Sequence, residues 1–241
     1  MSISLQKVSI IIPCFNEENT IEQILQRVQK ETLNLKNLNF EIIVINDAST
    51  DNTQRILEKF KNIKFKFLLN DKNFGKGYSL KRGINEATGD IILFQDADLE
   101  YDPSDYQKLL KPILDGNADV VFGSRFIGNG EKRVLYFWHR IGNLILTLLS
   151  NMFSNLNLTD MEIGYKVFRS DIIKKIPLQE NRFGIEPEIT AKVAKTKCRI
   201  YEVGVNYFGR TYEEGKKITW RDGISAIRCI FYYNFFFRNF D

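Results

Sequence analysis

The sequence predicts an α/β domain: a mainly parallel central sheet with helices on both faces. Three features predict it. Short apolar, often β-branched runs recur through the first half of the chain. Helical patterns of apolar residues fill the gaps between them. Polar clusters follow several runs directly, where an open α/β sheet places its ligands.

Val8–Ile12 is the first strand run, suited to burial on both faces. Ile21, Ile24, Leu25 and Val28 then mark one helix face, with Asn16 or Asn19 as its expected cap. Glu41–Ile45 is the second strand. Ser49, Thr50 and Asp51 introduce a helix carrying Ile56, Leu57 and Phe60. Phe65–Leu69 is the third strand, and Leu80, Gly83, Ile84 and Ala87 stripe the next helix, which Gly89 stops. Ile91–Phe94 is the fourth strand. Asp102 followed by Pro103 starts a helix that Pro112 should kink or shorten. Val120–Phe122 is the fifth strand. Beyond it the spacing predicts a helix over Ile141–Phe153, a second over Ile185–Ala194, a strand over Ile200–Val205 and an aromatic-rich helix over Ile224–Phe237.

Length and composition narrow the class. The 241 residues fit one domain, and 44% hydrophobic residues supply a sizeable core. Lys and Arg number 34 against 30 Asp and Glu, a net charge of +4, which is too weak to point to nucleic acid. Cys14, Cys198 and Cys229 are odd in number and lack a CxxC pair, so neither a disulfide framework nor a zinc knuckle is expected. The single histidine, His139, leaves little scope for histidine-based metal or triad chemistry. No run is long and apolar enough to predict a transmembrane helix, and the start of the chain does not read as a signal peptide.

The chemistry lies at the strand ends. Strand one runs into Pro13, Cys14, Phe15, Asn16 and Glu17, strand two into Asn46, Asp47, Ala48 and Ser49, and strand four into Gln95, Asp96, Ala97, Asp98, Leu99 and Glu100. These clusters should converge on one sheet edge. Asp96, Asp98 and Glu100 alternate, so an extended segment would put all three carboxylates on one side. Three oxygen ligands without His or Cys suit Mg²⁺ or Mn²⁺. Asp47 could accept a hydrogen bond from a base ring N–H, or cap the following helix. The loop Asn73–Gly77 could offer backbone N–H groups and Lys76 to phosphates.

These segments together resemble glycosyltransferase family two, whose members share the GT-A fold. The resemblance rests on "VSIIIPCFNEENTI", "EIIVINDASTDNT", "NFGKGYSLKRGINEATGDIILFQDADLEYDP" and "ADVVFGSRF". "TDMEIGYKVFR", "FGIEPEITAK" and "GRTYEEGKKITWRDG" bring it closest to dolichol- or polyprenyl-phosphate mannosyl- and glucosyltransferases. The resemblance implies one GT-A domain over residues 1–241, with a nucleotide-sugar and metal half at 1–125 and an acceptor half with amphipathic helices at 126–241. It implies that Pro13, Phe15, Glu17 and Asp47 hold the nucleotide, and that Asp96, Asp98 and Glu100 hold the metal and the donor diphosphate. It further implies that Arg125, Arg210 and Lys216 meet phosphates. Phe15 stands where the subgroup often has Tyr, and Asn46 replaces an Asp seen in many members.

The expected reaction is an inverting displacement at the anomeric carbon of a GDP- or UDP-sugar, with a cation neutralising the departing diphosphate. Arg210 and Lys216 would close over the same charge as a lid. A polyprenyl or dolichyl phosphate acceptor is already anionic near neutral pH, whereas a hydroxyl acceptor needs a base, for which Asp160 is the candidate. Asp160 as a plain helix cap is the competing reading. The 141–153 and 224–237 helices, flanked by Arg133, Arg140, Arg221, Arg228 and Arg238, could lie on a membrane or pack internally. A peripheral position on the cytoplasmic face follows from the first option, and a homo-oligomer is left open. The alternatives are a transferase onto a glycolipid or polysaccharide hydroxyl, and a non-catalytic nucleotide-sugar binder.

Overall fold

The computed structural model describes residues 6–128, 133–134, 136–211, 213–215 and 220–237. In β1 (Lys7–Cys14), Ile10, Ile11 and Ile12 are all fully buried although successive side chains point to opposite faces. Both faces of the sheet are therefore covered. β2 (Asn39–Asn46) is buried in the same way from Ile42 to Ile45 and pairs parallel with β1 in register Ile10 to Ile42.

The other strands are β3 (Lys66–Leu69), β4 (Ile91–Phe94), β5 (Val120–Ser124), β6 (Lys166–Arg169) and β7 (Ile200–Gly204). They form a seven-stranded sheet in the order β3-β2-β1-β4-β6-β5-β7. Only β6 runs antiparallel to its neighbours, with Leu93 opposite Val167 and Phe122 opposite Lys166. The parallel pairs β1–β2, β1–β4 and β2–β3 make the expected crossover half, and its helices are α1 (Ile21–Asn34), α2 (Thr53–Lys59) and α3 (Lys76–Glu86). α3 rests directly on β1 and β2. A Cβ on Gly83 would overlap Ile11 and come within 3.1 Å of Ile45, so the contact requires glycine.

α4 (Tyr106–Leu114) follows a short 3₁₀ turn at Pro103–Asp105. Asp102 caps that turn by accepting from the Ser104 N–H at 2.9 Å, as its sequence position predicts. Pro112 does not end α4, which continues to Leu114. The second half adds α5 (Phe137–Ser154), the single turn α6 (Ser170–Ile173), α7 (Ile185–Lys195) and α8 (Trp220–Phe231), which runs on as a π-helix over Tyr232–Phe236.

Two local expectations are corrected. Neither Asn16 nor Asn19 caps α1. Thr20 holds that position, and Asn16, at φ 51°, accepts from the Thr50 N–H instead. β6 was not expected, because its four residues carry a buried lysine in place of an apolar alternation.

Candidate active site

The polar loops after β1 and β2 are stitched to each other before they meet any ligand. The Asn16 N–H donates to Ser49 Oγ at 3.0 Å, the Glu17 N–H donates to Thr53 Oγ1 at 2.8 Å, and the Ser49 N–H donates to Asn46 Oδ1 at 3.0 Å. This lattice sets Pro13, Phe15, Glu17 and Asp47 on the wall of one cavity of about 930 Å³. Lys76, Asp96, Asp98, Glu100, Arg125 and Arg210 line the same cavity. Lys216 lies outside the described residues.

Asp47 does more than face the cavity. Its carboxylate accepts from Phe74 N–H at 3.0 Å, Gly75 N–H at 2.7 Å and Asn70 Nδ2 at 2.7 Å. A carboxylate has about four acceptor positions, so roughly one is left for a ligand. Asp47 thus holds the glycine loop in place. That loop needs its glycines: Gly75 has φ 103°, and a Cβ on Gly75 or Gly77 would lie 2.5 Å from the carbonyl oxygen of Asn181 or Glu180, respectively.

The three acids after β4 are arranged differently from the extended ladder. The chain turns at Leu99, whose φ is 64°, and Asp98 Oδ1 accepts from the Glu100 N–H at 3.1 Å. Among the described residues no three acid, His or Cys side chains converge as a preformed cation cage. Each acid instead meets one of the protein's own cations. Lys76 Nζ lies 2.8 Å from Asp96 Oδ1 and 3.2 Å from Glu186 Oε1. Arg210 lies 3.4 Å from Glu17, 3.1 Å from Asp98 and 3.6 Å from Glu100.

Negative charge still exceeds positive. Glu17, Asp96, Asp98 and Glu100 face Lys76 and Arg210, while Glu186 is also paired with Lys166. Burial, then the Glu100 and Asp96 charges, push the Asp98 carboxyl up to about 7, with Arg210 opposing. An excess of hard carboxylate oxygens over resident cations suits a divalent Mg²⁺ or Mn²⁺. The residues therefore fit such an ion, on condition that Lys76 and Arg210 yield.

The acceptor-side prediction for Asp160 is corrected. Asp160 is fully buried and does not line the cavity. It accepts from Arg125 Nε at 2.7 Å, Arg125 Nη2 at 2.6 Å, the Arg125 N–H at 3.0 Å and Asn143 Nδ2 at 3.2 Å. Both oxygens are committed to a bidentate pair, so Asp160 positions Arg125 and is not placed to act as a base. Arg125 in turn lies over the Tyr207 ring at 5.2 Å.

Sequence reasoning gave no role to Glu186, Glu162, Tyr101 or Tyr207, which also line the cavity. The Tyr207 hydroxyl donates to Glu100 Oε2 at 2.9 Å, and the Tyr101 hydroxyl accepts from the Gly164 N–H at 3.3 Å. Glu186 sits in the first turn of α7, where two acids bracket a proline, a helix-start signal that conceals a side chain bridging Lys76 and Lys166.

Known proteins resemble this chain in sequence and in fold. The glycosyl transferase family 2 model matches residues 9–177. A dolichol-phosphate mannosyltransferase of Pyrococcus furiosus is 28% identical, with 88% of this chain covered and 60% of the relative. A dolichyl-phosphate beta-glucosyltransferase of Trichomonas vaginalis is 30% identical, with 83% and 65% covered. The chain thus spans under two thirds of the length of these two relatives. In fold it is similar to glucosyl-3-phosphoglycerate synthase from Mycobacterium tuberculosis, solved with Mn²⁺, uridine diphosphate and phosphoglyceric acid. That match has a TM-score of 0.73 at 19% identity, with 95% of this chain and 79% of the other covered. The sheet order, the acids after β4 and the family model agree: this chain is a GT-A glycosyltransferase and belongs to glycosyl transferase family 2.

Proposed function

We propose that the enzyme moves a hexose, with inversion, from a GDP-mannose- or UDP-glucose-type donor to a polyprenyl or dolichyl phosphate at a membrane surface. The observation that carries this is the single cavity in which the β1, β2 and β4 ends meet the acceptor-half residues Arg125, Trp138 and Asn143. The names of the mannosyl- and glucosyltransferase relatives support the lipid phosphate, and the uridine diphosphate of the structural neighbour supports a nucleotide donor.

Pro13, Phe15, Glu17 and Asp47 would hold the nucleotide. Asp96, Asp98 and Glu100 would hold Mg²⁺ or Mn²⁺, which when bound supplies neutralisation of the departing diphosphate. Lys76 then exchanges Asp96 for a phosphate oxygen, and Arg210 does the same from Asp98. Both are desolvated cations already inside the site, so little reorganisation is needed. Lys216 would meet the same diphosphate charge. Arg125, locked by Asp160, meets the acceptor phosphate.

The apolar half of the acceptor has a matching surface. On α5, Thr147 and Ser150 are buried at 3% and 1% exposure, whereas Leu144, Leu148 and Met152 are 58%, 57% and 65% exposed. α8 packs beside it, with the Phe153 ring 5.0 Å from Phe231 and 4.9 Å from Phe235. No helix among the described residues is long and apolar enough to cross a membrane. An apolar face of this kind lies in an interface instead. The basic flanks are partly committed within the protein: Arg133 pairs with Glu214 and Arg228 with Glu180.

Incubation with labelled GDP-mannose or UDP-glucose, polyprenyl phosphate and Mn²⁺ tests the proposal. A labelled product extractable into organic solvent is expected. Its absence with both donors, in the presence of measurable donor binding, contradicts the assigned acceptor.

A further inference from the structure

Glu162 is a carboxylate of the cavity with no assigned work. Asp96 is committed to Lys76, Asp98 and Glu100 to Arg210, Glu186 to Lys76 and Lys166, and Asp47 to the glycine loop. Glu162 lines the same cavity, yet it makes no hydrogen bond or ion pair among the described residues, and its Oε1 is buried without a partner. A buried, unpartnered carboxylate oxygen is costly, so in a native fold it needs a reason.

The neighbours of Glu162 place it between charges of both signs. Glu186 faces it from α7, Lys166 from β6, Arg125 from the end of β5, and Asp160 from its own loop. Burial first, then the Glu186 charge, push its carboxyl up to about 7, and Lys166 and Arg125 only partly oppose this. A carboxylate poised near neutrality takes a proton far better than an ordinary glutamate.

We propose that Glu162 accepts the proton from the attacking oxygen of an acceptor that enters with that oxygen protonated, an alcohol or water. This rests on the reading of the cavity as the active site. The acceptor oxygen forms its bond to the anomeric carbon as the bond from that carbon to the diphosphate oxygen breaks. The bonding pair leaves with the nucleoside diphosphate. The acceptor's proton passes to the Glu162 carboxylate and then to solvent. Water is an acceptor of the same kind, so slow donor hydrolysis depends on Glu162 as well.

The test compares wild type with Glu162→Gln and Glu162→Asp, using UDP-glucose or GDP-mannose with Mn²⁺. The acceptors are polyprenyl phosphate, diacylglycerol and water. With diacylglycerol or water, Glu162→Gln should lower kcat about a hundredfold or more, the range of a lost general base, whereas transfer to polyprenyl phosphate, whose oxygen is already deprotonated, should change little. Donor affinity by calorimetry should stay within twofold, and Glu162→Asp should restore part of the rate. With diacylglycerol or water, the acid limb of the kcat profile near pH 7 should vanish in Glu162→Gln. With the phosphate, the acid limb should be set by the acceptor near ~6 in both wild type and variant.

A Glu162→Gln rate within threefold of wild type for hydrolysis or for transfer to diacylglycerol overturns the proposal, and so does a parallel loss of donor affinity. If Glu162→Gln does not fold, a wild-type hydrolysis profile that is flat between pH 5.5 and 8 overturns it. Glu162-dependent hydrolysis without transfer to polyprenyl phosphate would support this inference and sink the lipid-phosphate acceptor alone.

Discussion

Asp160 illustrates how a residue's partners fix its role. Two Arg125 nitrogens, the Arg125 N–H and Asn143 use both of its oxygens, so replacing it strands a guanidinium that is largely buried. Asp160→Ala should lower stability to urea by about 3–5 kcal/mol, the cost of breaking a buried pair from one side. An unchanged denaturation midpoint would argue against that anchoring role. Gly164 is similarly constrained. A Cβ there would overlap Asp96 Oδ2 and lie 3.2 Å from Lys76 Nζ. Gly164→Ala should therefore weaken nucleoside diphosphate binding in Mn²⁺ by roughly tenfold while the fold persists, because a carboxylate misplaced by an ångström loses its geometry. Calorimetry reads the loss, and full affinity in the variant would contradict it.

Glu41 gives a residue-scale prediction about pH. Burial would raise its carboxyl, but the Ser9 hydroxyl, the Thr88 N–H and Lys7 bring it from 4.5 down to about 2. A depressed folded value stabilises the protein above pH 4.5, and the contribution disappears as pH falls through about 2. Glu41→Gln should cost roughly 1–2 kcal/mol at pH 7. The gap between variant and wild type should close between pH 4.5 and 2 in urea melts. A gap that widens there would reverse the assigned sign.

At the scale of elements, strands and helices with a clean period were legible from sequence. β1, β2, β4 and β5 carry continuous apolar runs, and α1 and α4 carry unbroken stripes, so burial alone specified them. β6 was not legible. Lys166 sits inside it, and that lysine is stabilised by Glu186, twenty residues later, by the carbonyls of Met161 and Ile163 and by the Phe122 ring on β5. The acid segment after β4 misled for a related reason. Alternation implies an extended ladder, but Leu99 adopts a left-handed conformation that its residue type does not advertise. α5 is the element whose apolar stripe faces outward, and it supports a direct prediction. Leu144→Asp with Leu148→Asp should change thermal stability little, since both side chains are exposed. The same pair should reduce flotation with anionic vesicles several-fold. Equal flotation of variant and wild type would remove the interfacial role.

At the scale of the whole molecule, the sheet order brings residues distant in sequence into one charge balance. Lys76 opens α3, Asp96 follows β4, Glu186 lies in the first turn of α7 and Arg210 follows β7. The sequence placed Asp96, Asp98, Glu100, Arg125 and Arg210 at one site, and all five line one cavity. The Lys76–Glu186–Lys166 relay was not readable, because its members are separated by up to 110 residues and no local pattern links them. The carboxylates of the site outnumber its resident cations, Lys76 and Arg210. The most direct test is calorimetric titration of uridine and guanosine diphosphates with Mn²⁺ and with chelator, in wild type and Asp98→Asn. Wild type should bind one of them at least tenfold more tightly with Mn²⁺, and Asp98→Asn should abolish that gain. Equal affinity with and without the metal would contradict the proposed role of the acid cluster.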